Sequence, residues 1–193
     1  MREMIKPTIA LFIICFFVAL SLSFVNSLTK NTIASMAEEK SKEQRIKVMD
    51  NANSFKKVKD WKNEDQSKII NEVYSAYNKN ELSGYVFEVI PSGYAGDIKI
   101  TIGIDLKQKI SGVIIGESNE TPGLGLKASD ENFLKQYFKK SIDEVFEVVK
   151  TSAKSDNEIE SISGATITST AVTDAVQAAS DLGNILLEKG GSK

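Results

Sequence analysis

The chain has 193 residues and a net charge of −2, enough for one modest domain plus an additional segment, with no basic footprint for nucleic acid. It contains no histidine, and its single cysteine, Cys15, lies in an apolar N-terminal run. Those counts exclude Ser-His-Asp and Cys-His catalysis, a disulfide within one chain, and thiolate-held zinc or iron–sulfur centres. Any redox chemistry must come from a bound cofactor.

No residue between Lys6 and Lys30 is charged, and Ile9 to Leu20 is almost entirely apolar. As a helix, residues 7–29 reach about 34 Å, sufficient for the hydrocarbon core of a membrane. The run exceeds a signal-peptide core, and the small-residue site Ser35-Met36-Ala37 lies well beyond its end, so an uncleaved transmembrane helix is expected. Arg2 and Lys6 precede it. The positive-inside rule therefore puts residues 1–6 in the cytoplasm and the rest of the chain on the outer side of the cell membrane.

Residues 30–68 are rich in Lys, Glu, Gln and Asn, with sparse apolar positions, and are expected to form a polar helical spacer. Trp61 either packs on the domain or sits at an interface. The folded domain is expected over 69–189, with 190–193 as a tail. Ile70 to Tyr77 reads as strand or short helix, and Asn78 to Glu81 as a turn. Tyr85–Ile90, Ile98–Ile104 and Ile110–Gly116 read as strands of an antiparallel meander. Ser129 or Asp130 is placed to cap a helix carrying Phe133, Leu134, Tyr137 and Phe138 on one side. Ile142 to Lys150 is strand-like. The fold class is α+β, an antiparallel sheet with helices on one face.

Two short blocks carry the chemistry. In the first, Glu120-Thr121-Pro122-Gly123-Leu124-Gly125, Pro122-Gly123 suits a type II turn, and Gly125 permits close approach of the backbone to a neighbouring group. The second, Glu160-Ser161-Ile162-Ser163-Gly164-Ala165-Thr166-Ile167-Thr168-Ser169, precedes apolar positions from Val172 to Leu186 at helical spacing. Ser163, Thr166 and Thr168 are all capable N-caps for a helix expected to start near Thr168, and Gly164 permits a sharp turn before it. A helix N-terminus suits a phosphate group.

Ser163-Gly164-Ala165-Thr166 resembles the end of the flavinylation motif Asp-x-x-[Ser/Thr]-Gly-Ala-Thr of FMN-binding domains, with Glu160 in place of the leading Asp. Glu120 to Gly125 is similar to a block shared by the G subunit of Rnf-type electron transport complexes and the C subunit of sodium-pumping NADH:quinone reductase. The likeness runs from about Gly84 to Ala179. It implies FMN attached covalently to Thr166 by a dedicated flavin transferase. Ser163, Gly164, Ala165, Thr168, Ser169, Glu120, Thr121, Leu124 and Gly125 would shape the cofactor site, and Glu160 would serve recognition by the transferase.

The function implied is that of a membrane-anchored electron relay in an ion-translocating ferredoxin:NAD oxidoreductase, coupled to Na⁺ or H⁺. Such a protein catalyses nothing alone and works beside membrane and iron–sulfur subunits. The spacing of the two blocks favours the G subunit over the C subunit of the quinone reductase. A free-standing extracellular flavin carrier and a cofactor-free, membrane-tethered binding module are the alternatives.

Overall fold

The computed structural model describes residues 2–190. Residue 1 and residues 191–193, at the ends of the expected N-terminal segment and tail, lie outside the described residues. The chain forms two units, Met1–Lys42 and Glu43–Lys193. Helix α1 runs from Arg2 to Val48. In the first unit Phe12, Phe16, Leu20, Phe24 and Leu28 are all exposed. A helix apolar on every side belongs in an apolar surrounding, and this one is long and apolar enough to cross a membrane as a single-pass anchor.

The second unit is built on a five-stranded sheet: β1 (Ser54–Lys57), β2 (Ile70–Asn78), β3 (Glu81–Val89), β4 (Ile98–Asp105) and β5 (Ile110–Ser118), paired antiparallel in chain order. Two of its connections are explained by local chemistry. Lys79 and Asn80, between β2 and β3, both have positive φ (47° and 74°), the requirement of a two-residue hairpin loop whose twist matches the strands. Between β4 and β5, the Asp105 carboxylate accepts the N–H groups of Lys107 (2.8 Å) and Lys109 (3.0 Å), closing the turn from its own side chain.

The period-2 alternation sends Tyr85, Phe87 and Val89 of β3, with the isoleucines of β4, into the main core. That core is closed by α3 (Thr166–Gly190), through Val172, Ala175, Val176, Ala179 and Leu182. Gly183 lets α3 come close to the sheet, since a Cβ there would lie 2.9 Å from Ile104 Cδ1.

The opposite face is covered by residues at the end of α1. Val48 and Met49 pack with Tyr74, Ala76 and Val86. Ser111 donates its hydroxyl to the Val48 carbonyl (2.6 Å), and a Cβ on Gly103 would collide with that same oxygen. Arg45 and Glu88 form a buried ion pair (2.8 Å), and the guanidinium carbon stands 4.0 Å from the Tyr74 ring centroid. Burial pushes the Tyr74 phenol well above its ordinary pKa.

Three expectations are corrected. The segment assigned to a polar helical spacer is helical only to Val48. Its later part supplies β1, and Trp61 is buried in the main core. Sheet pairing with Tyr74–Tyr77 of β2 outweighs the high charge of that stretch. The aromatic helix is broken: α2 spans only Glu131–Leu134 and continues as a 3₁₀ turn, Lys135–Tyr137. Phe133 and Tyr137 point inward with their rings edge to face (5.9 Å), whereas Phe138 turns out to solvent where the backbone becomes extended. In the run from Ile142, only β6 (Glu147–Val149) is a strand, pairing in parallel with β7 (Glu158–Glu160) as a separate small sheet.

Removing one partner of a buried ion pair leaves an uncompensated charge. Arg45→Ala is therefore expected to destabilise the detergent-solubilised protein by about 3–5 kcal/mol in urea titrations, and Arg45→Met with Glu88→Leu to cost much less. A double variant as unstable as the single would show that the loss is in packing rather than charge.

Candidate functional site

The two sequence blocks meet in space. The turn after β5 and the start of α3 face each other across a cleft of about 420 Å³, within the ~300–1,000 Å³ range of ligand sites.

The Pro122-Gly123 turn has the geometry its sequence requires. Gly123 sits at φ +80°, and Leu124 N–H donates to the Thr121 carbonyl (3.1 Å), which also accepts Leu126 N–H (3.2 Å). This turn leaves Thr121 and Leu124 exposed on the cleft rim.

Glu120 lies beneath it with only 6% of its surface exposed. Its Oε1 accepts the N–H groups of Tyr94 (2.7 Å) and Ala95 (3.1 Å), and its Oε2 accepts the Thr168 hydroxyl (3.0 Å). Three donors compensate the loss of water around the charge. Room for the carboxylate is made by two glycines: a Cβ on Gly93 would collide with Oε1, and one on Gly125 with Oε2.

On the other wall, Ala165 N–H donates to the Ile162 carbonyl (2.9 Å), and Gly164, at φ +79°, turns the chain into α3. A Cβ on Gly164 would lie 3.2 Å from Leu124 Cδ2, so the absent side chain lets the two walls close on each other. Helix α3 starts at Thr166, two residues earlier than expected, because this turn leads straight into helical backbone. Thr166 is thus the first helical residue. It is half-buried and lines the cleft. The N–H groups of Thr166, Ile167 and Thr168 have no carbonyl four residues back within the helix to bond, and they carry the positive end of its dipole.

Of the residues expected to shape a cofactor site, Gly164, Ala165, Thr166, Thr168, Glu120, Thr121, Leu124 and Gly125 all border the cleft. Ser163 and Ser169 do not. Ser163 is exposed on the loop. Ser169 is buried and braces the loop from inside, accepting Ile162 N–H (2.9 Å) and donating to the Ala165 carbonyl (3.0 Å). Glu160 stands at the end of β7 with its side chain exposed. Its backbone is held at both ends by the Gln136 amide, which accepts Glu160 N–H (2.7 Å) and donates to the Glu160 carbonyl (3.2 Å).

No sequence pattern marks Tyr94, Ile167 or Gln136 as a site residue. Pro91-Ser92-Gly93 and Gly96-Asp97 read only as punctuation between strands, and the Gln136–Glu160 pair spans 24 residues without a local signature.

A methyl group on Gly125 would collide with the Glu120 carboxylate and crowd the Thr168 hydroxyl. Gly125→Ala should lower stability by about 2–3 kcal/mol through overpacking and displaced carboxylate hydrogen bonds, read as a fall in the urea midpoint. A midpoint equal to wild type would mean that Glu120 is not confined as described.

Residues 93–181 match the family model of the FMN-binding domain. The chain is similar to the G subunit of the Na⁺-translocating ferredoxin:NAD⁺ oxidoreductase complex of Acetobacterium woodii, 37% identical over 188 residues, covering 91% of this chain and 89% of the relative. It is also similar to the G subunit of the proton-translocating ferredoxin:NAD⁺ oxidoreductase complex of Clostridium ljungdahlii, 31% identical over 170 residues, covering 86% and 84%. In fold it is similar to the C subunit of the Na⁺-translocating NADH-quinone reductase of Parabacteroides distasonis, with a TM-score of 0.56 at 19% identity, covering 79% of this chain and 96% of that one. With its FMN-binding domain and a relative matched along nearly the whole chain, the protein belongs to the family of G subunits of Rnf-type ion-translocating oxidoreductase complexes.

Proposed function

We propose that this protein holds FMN covalently, as a phosphodiester on the Thr166 hydroxyl, and relays electrons within an Rnf-type ferredoxin:NAD oxidoreductase coupled to Na⁺ or H⁺ transport. The observation that carries the reading is the position of Thr166: the first residue of α3, half-buried, on the wall of the cleft where the two motif blocks meet.

The residues present fit the group. The N–H groups of Thr166, Ile167 and Thr168 offer donors and a positive dipole end to a phosphate. Gly125 makes room beneath the cleft for the Glu120 carboxylate, and Gly164 lets its wall approach Leu124. Leu124 supplies an exposed apolar contact at the rim for a flat ring. When bound, FMN supplies one- or two-electron redox chemistry, which a chain without histidine and with one cysteine lacks.

The protein's own contribution is to bind, orient and retain. Glu120 is not free to bind a ligand: both its oxygens are engaged by Tyr94, Ala95 and Thr168. It shapes the site by fixing the surrounding loops. Thr168 commits its hydroxyl to Glu120 but leaves its backbone N–H available. An unactivated threonine is a weak nucleophile, so the attachment chemistry falls to the flavin transferase. The exposed carboxylate of Glu160, on a backbone pinned by Gln136, suits recognition by that enzyme.

The anchor helix fits a membrane complex. Arg2 and Lys6 ahead of it support a cytoplasmic N-terminus and a flavin domain on the outer side. The partners are the membrane and iron–sulfur subunits of the complex.

A timed flavinylation assay with peptide mass spectrometry tests the attachment. Wild type should gain one FMN, less one water, on Thr166. Thr166→Ala should gain none while changing stability by only about 0.5–1 kcal/mol. Glu160→Asp should load at the wild-type rate and Glu160→Gln several-fold more slowly. Flavin on Thr168 or Ser169 would overturn the assignment, and Glu160→Ala loading as fast as wild type would end the recognition role.

Topology is tested separately by protease treatment of spheroplasts. The flavin domain should be degraded while the membrane is intact, and its survival would reverse the orientation.

A further inference from the structure

Tyr94 borders the same cleft, yet it belongs to neither motif block. It sits in the connection between β3 and β4, and 73% of its surface is exposed. The backbone beneath it is pinned at several points. Gly93 N–H donates to the Gly96 carbonyl (2.8 Å), Ile98 N–H to the Pro91 carbonyl (3.0 Å), and the Ser92 hydroxyl to Asp97 Oδ1 (3.0 Å). The Tyr94 and Ala95 N–H groups are taken by the buried Glu120 carboxylate. The backbone that carries this large aromatic ring is therefore fixed at the edge of a cleft, with most of the residue's surface left to water.

The facing surfaces suit a flat aromatic guest. Leu124, 46% exposed, borders the same cleft from the Pro122-Gly123 turn, and Gly125 adds no side chain to it. Aromatic rings gain most from offset stacking on another π-system, and a tyrosine keeps its hydroxyl in water while its ring is covered.

We infer that Tyr94 is a wall of the flavin site, contacting the isoalloxazine ring, and that Glu120 is the positioning residue that holds it there. The inference deepens the proposed function and rests on FMN occupying this cleft. Glu120 acts through the backbone of the 93–96 turn, and Thr168 secures the other carboxylate oxygen. The tyrosine selects for a ligand with an extended π-surface rather than for phosphate, which the start of α3 already serves.

The test uses the full-length protein in detergent, with FMN on Thr166 verified by mass, and reads two properties other than activity: flavin emission yield and iodide quenching of that emission. A phenol in contact with isoalloxazine quenches its fluorescence, whereas a phenylalanine ring covers it without strong quenching. Wild type should therefore be dim and shielded. Tyr94→Phe should brighten several-fold with iodide access nearly unchanged. Tyr94→Ala should brighten and become more accessible. Glu120→Gln, which leaves the tyrosine in the chain but loosens its anchor, should move part of the way towards Tyr94→Ala. In denaturant all four should emit alike. A loaded Tyr94→Ala protein with wild-type emission and accessibility would overturn the inference alone. A wild-type chain bearing no flavin after exposure to the transferase would overturn the covalent reading, and this inference with it.

Discussion

The buried carboxylate of Glu120 is the point through which the cleft is assembled. Moving an ionised carboxylate out of water is costly, by several kcal/mol even after the surroundings relax, unless donors replace the lost hydration. Here the donors come from two elements far apart in sequence: two N–H groups of the 93–96 turn and one hydroxyl of α3. Glu120 itself stands at the head of the Pro122-Gly123 turn. One charge thus joins three segments. The arrangement also dictates two residues with no chemistry of their own, since any side chain on Gly93 or Gly125 would occupy the carboxylate's place.

The choice of donors matters as much as their number. Glu120 takes the Thr168 side chain and the amides of the 93–96 turn, but no backbone N–H of α3. The first-turn N–H groups of that helix remain for another anion. Had the carboxylate capped α3 directly, it would have consumed the donors and opposed the dipole on which a phosphate depends. Placing the negative charge one side chain away fastens the helix and keeps its end open. On the proposed reading, Thr166 at the first helical position puts the phosphodiester beside those donors.

Much of this was legible in sequence, for definite reasons. Ile98 to Ile104 alternates cleanly because every second residue of β4 faces the main core, and Gly123 follows Pro122 because the turn needs positive φ. Both are local constraints. What escaped reading is long-range. Phe55 and Val58 look like isolated apolar residues in a charged spacer, and only pairing with β2 makes that stretch part of the domain. Arg45 reads as one more charge on a solvated helix until Glu88, 43 residues away, meets it within the fold. The helix start at Thr166 is not legible in sequence because several nearby hydroxyls are all competent caps. Thr168 and Ser169 are instead directed to Glu120 and to the preceding loop. Tyr94 and Gln136 had no pattern to betray them.

The openness of the cleft bears on why the proposed attachment is covalent. Leu124, Ile167 and Tyr94 all stand on its border with 46%, 57% and 73% of their surface exposed, whereas tight small-molecule sites cover most of the ligand, ~70–90% of its surface. A relay has to leave one edge of its cofactor approachable by other redox centres, and an approachable edge is apolar surface not covered by protein. Each part of the ring left uncovered costs binding energy, at about 25 cal/mol per Å² of apolar area. A site open enough to exchange electrons with partners is therefore a poor site for holding FMN by contacts alone. A bond to Thr166 removes the conflict. It makes association of the ring with its walls intramolecular, so weak contacts suffice to orient it. The walls then need only select a ring pose, which is a task a tyrosine on a pinned backbone, an exposed leucine and a glycine that adds no side chain can perform.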